Sequence, residues 1–330
     1  MRFTWLSLLL LALPIYAIPR IKFQHWFPKY ENLWIQAAEG PCRQEVTNYL
    51  RNNRTDCEQP CACAADCILQ NITGTIQSNF ASAQVLLGLV PVTLAVIGPT
   101  VAEVTVLSAY RPLLALLLAI GSPAVNISRA FMNVNVCEPF SRPRSAFSRA
   151  WSNWLARQPV VFRVLFRIWT YLIALAAIYN NIRNSVTTDM RTISGWRCAA
   201  VYMPLAWSML GVIVHGWGMI AIRVRLRRYS ILSFKSILQS EAFKSISSTK
   251  DGISSEGLFW MASVCAVIHM IYGILVLSSL VFISALEALQ VFALYAVSAI
   301  SCQFILLLEL ANMRHELDIE PTAHSGQSSC

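Results

Sequence analysis

Apolar stretches long enough to cross a bilayer recur along this 330-residue chain, and they constrain it more than any other feature. A helix needs about 18 or more consecutive apolar residues to span the hydrocarbon layer. Five stretches meet that requirement: Phe80–Ile97, Phe162–Tyr179, Ala199–Ile222, Leu258–Leu280 and Leu289–Leu308. The composition agrees, with 56% hydrophobic and only 13% charged residues. A soluble domain carries roughly a quarter charged residues to solvate its surface. The fold class expected is all-α, a multi-pass bundle of transmembrane helices spanning residues 80–309.

Charge sets the expected topology. The net charge of +9 comes in blocks between the apolar segments. Residues 138–167 hold Arg142, Arg144, Arg149, Arg157, Arg163 and Arg167 against Glu138. Residues 223–257 hold Arg223, Arg225, Arg227, Arg228, Lys235, Lys244 and Lys250 against Glu241, Asp251 and Glu256. Basic loops of this kind stay on the cytosolic side, at 138–161 and 223–257 here, and attract anionic lipid headgroups. No basic-plus-aromatic module suggests nucleic acid. The stretch Val101–Val125 is ambiguous, because Arg111 and Pro112 interrupt it. Five spans put both basic blocks in the cytosol and make Val101–Val125 re-entrant or interfacial. Six spans instead place the sequon at Asn126 and Cys137 in the lumen. Charge favours five.

The N-terminus reads as a secretory address. Within residues 1–17, Arg2 supplies the positive start, Leu6 to Leu13 the apolar core, and Ala17 a cleavage site. Residues 18–79 then form a lumenal segment with Cys42, Cys57, Cys61, Cys63 and Cys67. In an oxidising compartment these are expected in disulfides rather than on a metal. Their number is odd, so one is free, pairs between chains, or reaches Cys137. Sequons at Asn53 and Asn71 add N-glycosylation, with Asn53 further from the first span. Residues 143–158 carry Phe147, Trp151, Trp154 and Leu155 at helical spacing, which describes a helix at the headgroup layer. Residues 223–246 repeat that pattern with Ile231, Phe234 and Leu238. Residues 245–255 read as a flexible linker, and the tail from 310 to 330 as a disordered cytosolic segment.

Ionisable groups inside apolar segments are the candidates for chemistry. Glu103 and Arg111 lie two turns apart and can bracket a polar pocket, with the carboxyl as general acid and the guanidinium holding an anion. The alternative leaves Glu103 in a loop and Arg111 snorkelling to the interface. His215 and His269 each fall mid-span, where a lone histidine is more often hydrogen-bonded than catalytic. Glu287 and Glu309 are expected at helix ends, where water can reach them, and Gln84 and Gln303 between helices. No nucleophile elbow, phosphate loop or dinucleotide fingerprint occurs, and no cofactor or metal is expected.

The run from Cys61 to Val125 reads CACAADCIL, QSNFASAQVLLGLVPVTLAVIGPT and AEVTVLSAYRPLLALLLAIGSPAV. It resembles a group of filamentous-fungal multi-pass membrane proteins, similar to the accessory membrane proteins of terpenoid, indole-diterpene-type biosynthetic clusters. That resemblance implies work on a lipophilic small molecule at the endoplasmic reticulum, with Glu103 protonating an alkene or epoxide if the chain is a cyclase. The compact cyclases of such clusters lack a cysteine-rich ectodomain. The fragment Cys57-x3-Cys61-x-Cys63 is also similar to the ectodomains of some fungal surface receptors, which implies a sensor or structural protein at the plasma membrane. A transporter is the third reading.

Overall fold

The computed structural model describes residues 21–53, 57–126, 146–228 and 253–319. The address at 1–17, Cys137, the 231–238 apolar face, residues 245–252 of the expected linker and the tail beyond Ile319 lie outside them; residues 253–255 open a helix and 310–319 continue one, where a linker and a disordered tail were expected. Three short helices come first: α1 Glu31–Glu39, α2 Arg43–Arg51 and α3 Pro60–Gln70. Five long helices follow: α4 Gly74–Ile97, α8 Val160–Arg191, α9 Met203–Arg228, α10 Ile253–Ser278 and α11 Ala285–Ile319. Each holds a window apolar enough to cross a membrane, so the chain is a multi-pass membrane protein, and its described residues hold the five spans expected. Between them lie α5 Val101–Tyr110, α6 Pro112–Gly121 and α7 Ala146–Ala156.

One end of the bundle is fastened covalently. Cys42 pairs with Cys67, Cys57 with Cys63, and Cys61 with Cys198 in the α8–α9 connection. The odd cysteine therefore goes to Cys198, a partner the sequence reading did not consider. Beside it, β1 Ile193–Ser194 pairs antiparallel with β2 Leu280–Val281, tying the α8–α9 and α10–α11 turns together. The N-terminal segment does not stand apart on its disulfides. Its Phe23, Trp26, Trp34 and Tyr49 pack with Phe80 of α4 and Phe282 of the last turn into one aromatic core. Phe282 holds φ at 67°, a region unfavourable for a side chain of that size. Its ring is gripped by Trp26 and Trp34, with centroids at 5.4 and 5.1 Å.

Lys22 completes that end. Its ammonium is buried and donates to the carbonyls of Asp189 and Thr192 at 2.5 and 3.1 Å, capping the end of α8. It also meets the Asp189 carboxylate at 3.1 Å. Burial pulls the Lys22 pKa down, and Asp189 opposes that pull.

The stretch 98–126 explains the ambiguity at Val101–Val125. Pro99 and Pro112 interrupt what would be continuous helix, since a proline lacks the N–H that the ladder requires. The chain leaves α4 at Gly98, descends as α5, reverses at Arg111 and returns as α6. Its return brings Asn126 N–H to the Pro99 carbonyl at 3.3 Å. Thr100 and Asn126 form a parallel bridge there. The Ser122–Val125 segment lies against Gly211 of α9, which sits near His269 of α10. Gly211 is eight residues into α9, about 12 Å along it at 1.5 Å per residue. The departure from α4 at Gly98 and the return at Asn126, unlike the turn at Pro112, thus lie partway along the spans. The stretch begins and ends there, so it adds a half-helix hairpin and not a sixth crossing.

Bare backbone in a membrane must find partners within the protein. Here Asn181 of α8 donates to the Ile120 carbonyl at 3.1 Å, covering the open end of α6. Elsewhere the helices close by small residues, the usual packing where burial against lipid gives little driving force. Gly88 abuts Ser278, Gly121 abuts Cys302 and Ala177, and Gly218 lies directly on Thr105.

Candidate functional site

Glu103 and Arg111 do not meet. Arg111 comes eight positions after Glu103, about 12 Å further along α5. Glu103 lies at the mid-span break and forms a capping box. Its N–H donates to Thr100 Oγ1 at 3.2 Å, and its carboxylate accepts the Thr100 N–H at 3.4 Å. The side chain thereby satisfies orphan donors of a helix that starts inside the membrane. A second capping box starts α11, where Ser284 and Glu287 exchange the same bonds and Glu287 also accepts the Lys29 N–H at 2.8 Å. Glu287 was expected to be open to water and is instead 5% exposed.

Arg111 occupies the turn between the two half-helices, at the bundle end opposite the disulfides. Its guanidinium donates to Glu309 of α11 at 2.7 Å. The Glu309 side chain is 1% exposed, so this carboxylate too is buried and charge-paired, not solvated. In the absence of an opposite charge, a carboxylate at this depth would carry a desolvation cost of several kcal/mol.

Around this pair four elements converge. Arg111 comes from the α5–α6 turn, Arg163, Phe166 and Arg167 from α8, Glu309, Asn312 and His315 from α11, and Ser152 and Leu155 from α7. Together they line a cavity of about 270 Å³ open to the outside. Arg163 and Arg167 are one turn apart on α8, and so on one face. The local sequence makes this arrangement. Helix α7 is amphipathic: Leu155 buries against Phe166 and Leu308, which fixes α7 across the ends of α8 and α11. Trp151 packs on Phe166, with ring centroids at 5.2 Å. Flanking that face, Phe147 and Trp154 of α7 are left exposed. Three arginines and a histidine surround one carboxylate, already paired. Chemically the pocket offers cationic groups suited to an anion beside an apolar wall of Leu155 and Phe166.

His215 and His269 both lie in the interior, close to the breaks. The His269 ring stacks on Trp207 with centroids 5.6 Å apart, and Trp207 packs edge-on to Tyr295. Tyr295 shares a hydrogen bond with Ser185 of α8 at 3.0 Å. Gln303 is in the interior as well. Among the described residues, no group of three or more His, Cys, Asp and Glu is placed to hold a metal ion.

The sequons fall in different places. Asn53 follows α2 at the disulfide-bonded end and is exposed. Asn71 is exposed near the start of α4, its amide donating to the Cys67 carbonyl at 2.9 Å. Asn126 sits at the mid-span break. The pocket residues Arg163 and Arg167 were read only as loop charge, and Glu309 only as a helix-end acid. Their Arg–x3–Arg spacing just inside an apolar segment was the available signal. No protein-family model, characterised protein or solved structure matches this chain.

Proposed function

We propose that this chain works in the membranes of the secretory pathway on a lipophilic small molecule, in the biosynthesis of a terpenoid-type metabolite, with the basic-end pocket as its working site. In this reading the disulfide-bonded end is lumenal and the pocket opens to the cytosol. Three disulfides and the exposed asparagines of two sequons at one end support the orientation, since bridges persist in oxidising compartments. The observation that carries the reading is a cavity built by four elements at the basic end of the bundle, with three arginines beside Leu155 and Phe166. Amphiphiles reach such a site from the lipid. Glu103 caps a helix and Glu309 is ion-paired, so the arrangement favours binding and positioning of the molecule over acid catalysis by either carboxylate.

The test is disruption of the coding gene followed by comparison of lipophilic extracts. Loss or accumulation of a terpenoid-type compound is expected. Unchanged extracts together with a lost response to an external signal would contradict the reading and favour a receptor. That alternative has one observation behind it, a groove of about 360 Å³ at the disulfide-bonded end lined by Glu45, Asp66 and the Cys57–Cys63 bridge.

A further inference from the structure

We infer that the basic-end pocket recognises a phosphate group carried on a lipid-soluble molecule, an inference that rests on the reading above and names the chemistry of the head. Arg111 is already committed to Glu309, so the pair is internally neutral. Arg163 and Arg167 make no ion pair among the described residues and are exposed at the cavity rim. The cavity therefore presents two uncommitted guanidiniums on one helix face, together with the Asn312 amide, the Ser152 hydroxyl and His315. Guanidinium forks fit the oxygens of phosphate in paired hydrogen bonds, and they hold a doubly charged group better than a single carboxylate.

The surroundings say how such a group arrives. Val160, Val161, Val164 and Leu165 on the same end of α8 are exposed and apolar. Trp154 of α7 is exposed beside them and meets Phe162 edge-on, with centroids at 5.2 Å. A hydrocarbon tail attached to the phosphate would lie on this surface in the bilayer while the head enters the cavity. The same residues could also take free phosphate from water, and the experiment separates the two sources.

Full-length chain in phosphatidylcholine nanodiscs is titrated with phosphatidic acid bearing a dansyl-labelled tail, and binding is read by energy transfer from tryptophan. Arg163→Gln with Arg167→Gln should weaken binding about tenfold or more, since two charge-assisted contacts are lost together. Arg149→Gln with Arg157→Gln removes the same charge from α7 and its C-terminal end, outside the cavity lining, and should change affinity less than about threefold. All four arginines are exposed, so folding is not at stake. Inorganic phosphate at millimolar concentration should fail to displace the lipid, and that result supports recognition of head and tail together. Displacement would overturn the lipid-borne assignment in favour of a free phosphate. Equal losses in the two double variants, or none in either, would overturn the pocket. If that happened while gene disruption still altered the extracts, this inference alone would fall and the functional reading would stand.

Discussion

The Arg111–Glu309 pair sets the character of the basic end, because two opposite charges there hold a half-helix turn onto a span. Neutralising one partner leaves the other buried and unpaired, at a cost of about 3–5 kcal/mol. Arg111→Leu should therefore lower the unfolding midpoint sharply in a thermal melt. Arg111→Leu combined with Glu309→Leu should recover most of that loss, because an apolar pair of similar volume removes the desolvation cost as well. A double variant as unstable as the single one would show that the turn depends on the arginine for something other than charge. At this scale part of the site was legible and part was not. Glu103 and Arg111 stand out in the sequence as charges in apolar surroundings, but charge alone does not reveal a partner 198 residues away. The role of Glu103 was readable. Thr100 and Glu103 have capping-box spacing directly after Gly98–Pro99, as do Ser284 and Glu287, and that spacing announces a helix start.

Elements meet in this bundle through glycines, which makes their packing testable one position at a time. Gly218 of α9 lies directly on Thr105 and Val101 of α5, so a methyl group there must push aside Thr105 Oγ1 and Val101 Cγ1. Gly216, two residues earlier, has nothing within 4 Å of an added Cβ. Gly218→Ala should destabilise by about 1–3 kcal/mol, as overpacking does, whereas Gly216→Ala should be neutral or slightly stabilising through helix propensity. Chemical denaturation in a fixed detergent distinguishes them, and equal effects would contradict the described contact. The Cys61–Cys198 bridge is the other inter-element claim. Mass spectrometry of non-reduced peptides should find those two joined, and a free thiol at Cys198 would contradict it. The five spans were legible because hydropathy over 18 or more residues has few alternative explanations. The hairpin of α5 and α6 was narrowed to re-entrant or interfacial, since Pro112 marks a break but not the direction the chain takes after it. Cys198 went unread because disulfide partners follow from spatial proximity and not from spacing.

For the whole molecule, the account rests on residues 98–126 turning back within the membrane. The two ends of the bundle then stay chemically distinct. Disulfides, exposed sequons and the aromatic core occupy one, while Arg111, Arg149, Arg157, Arg163, Arg167 and Arg223 gather at the other. The rest of the 223–257 block and most of the tail lie outside the described residues, so the asymmetry stands on the residues named. A bundle with six crossings would place the 138–167 arginines on the disulfide side, against the bias that keeps basic loops in the cytosol. One labelling experiment decides between these arrangements. Single cysteines are placed at exposed Asn153 on α7 and at exposed Glu31 on α1, and sealed microsomes are treated with a membrane-impermeant maleimide before and after permeabilisation. Asn153→Cys should react at once and Glu31→Cys only after the membrane is opened. Reaction of both sites under the same condition would contradict the half-helix hairpin and the cytosolic opening proposed for the pocket.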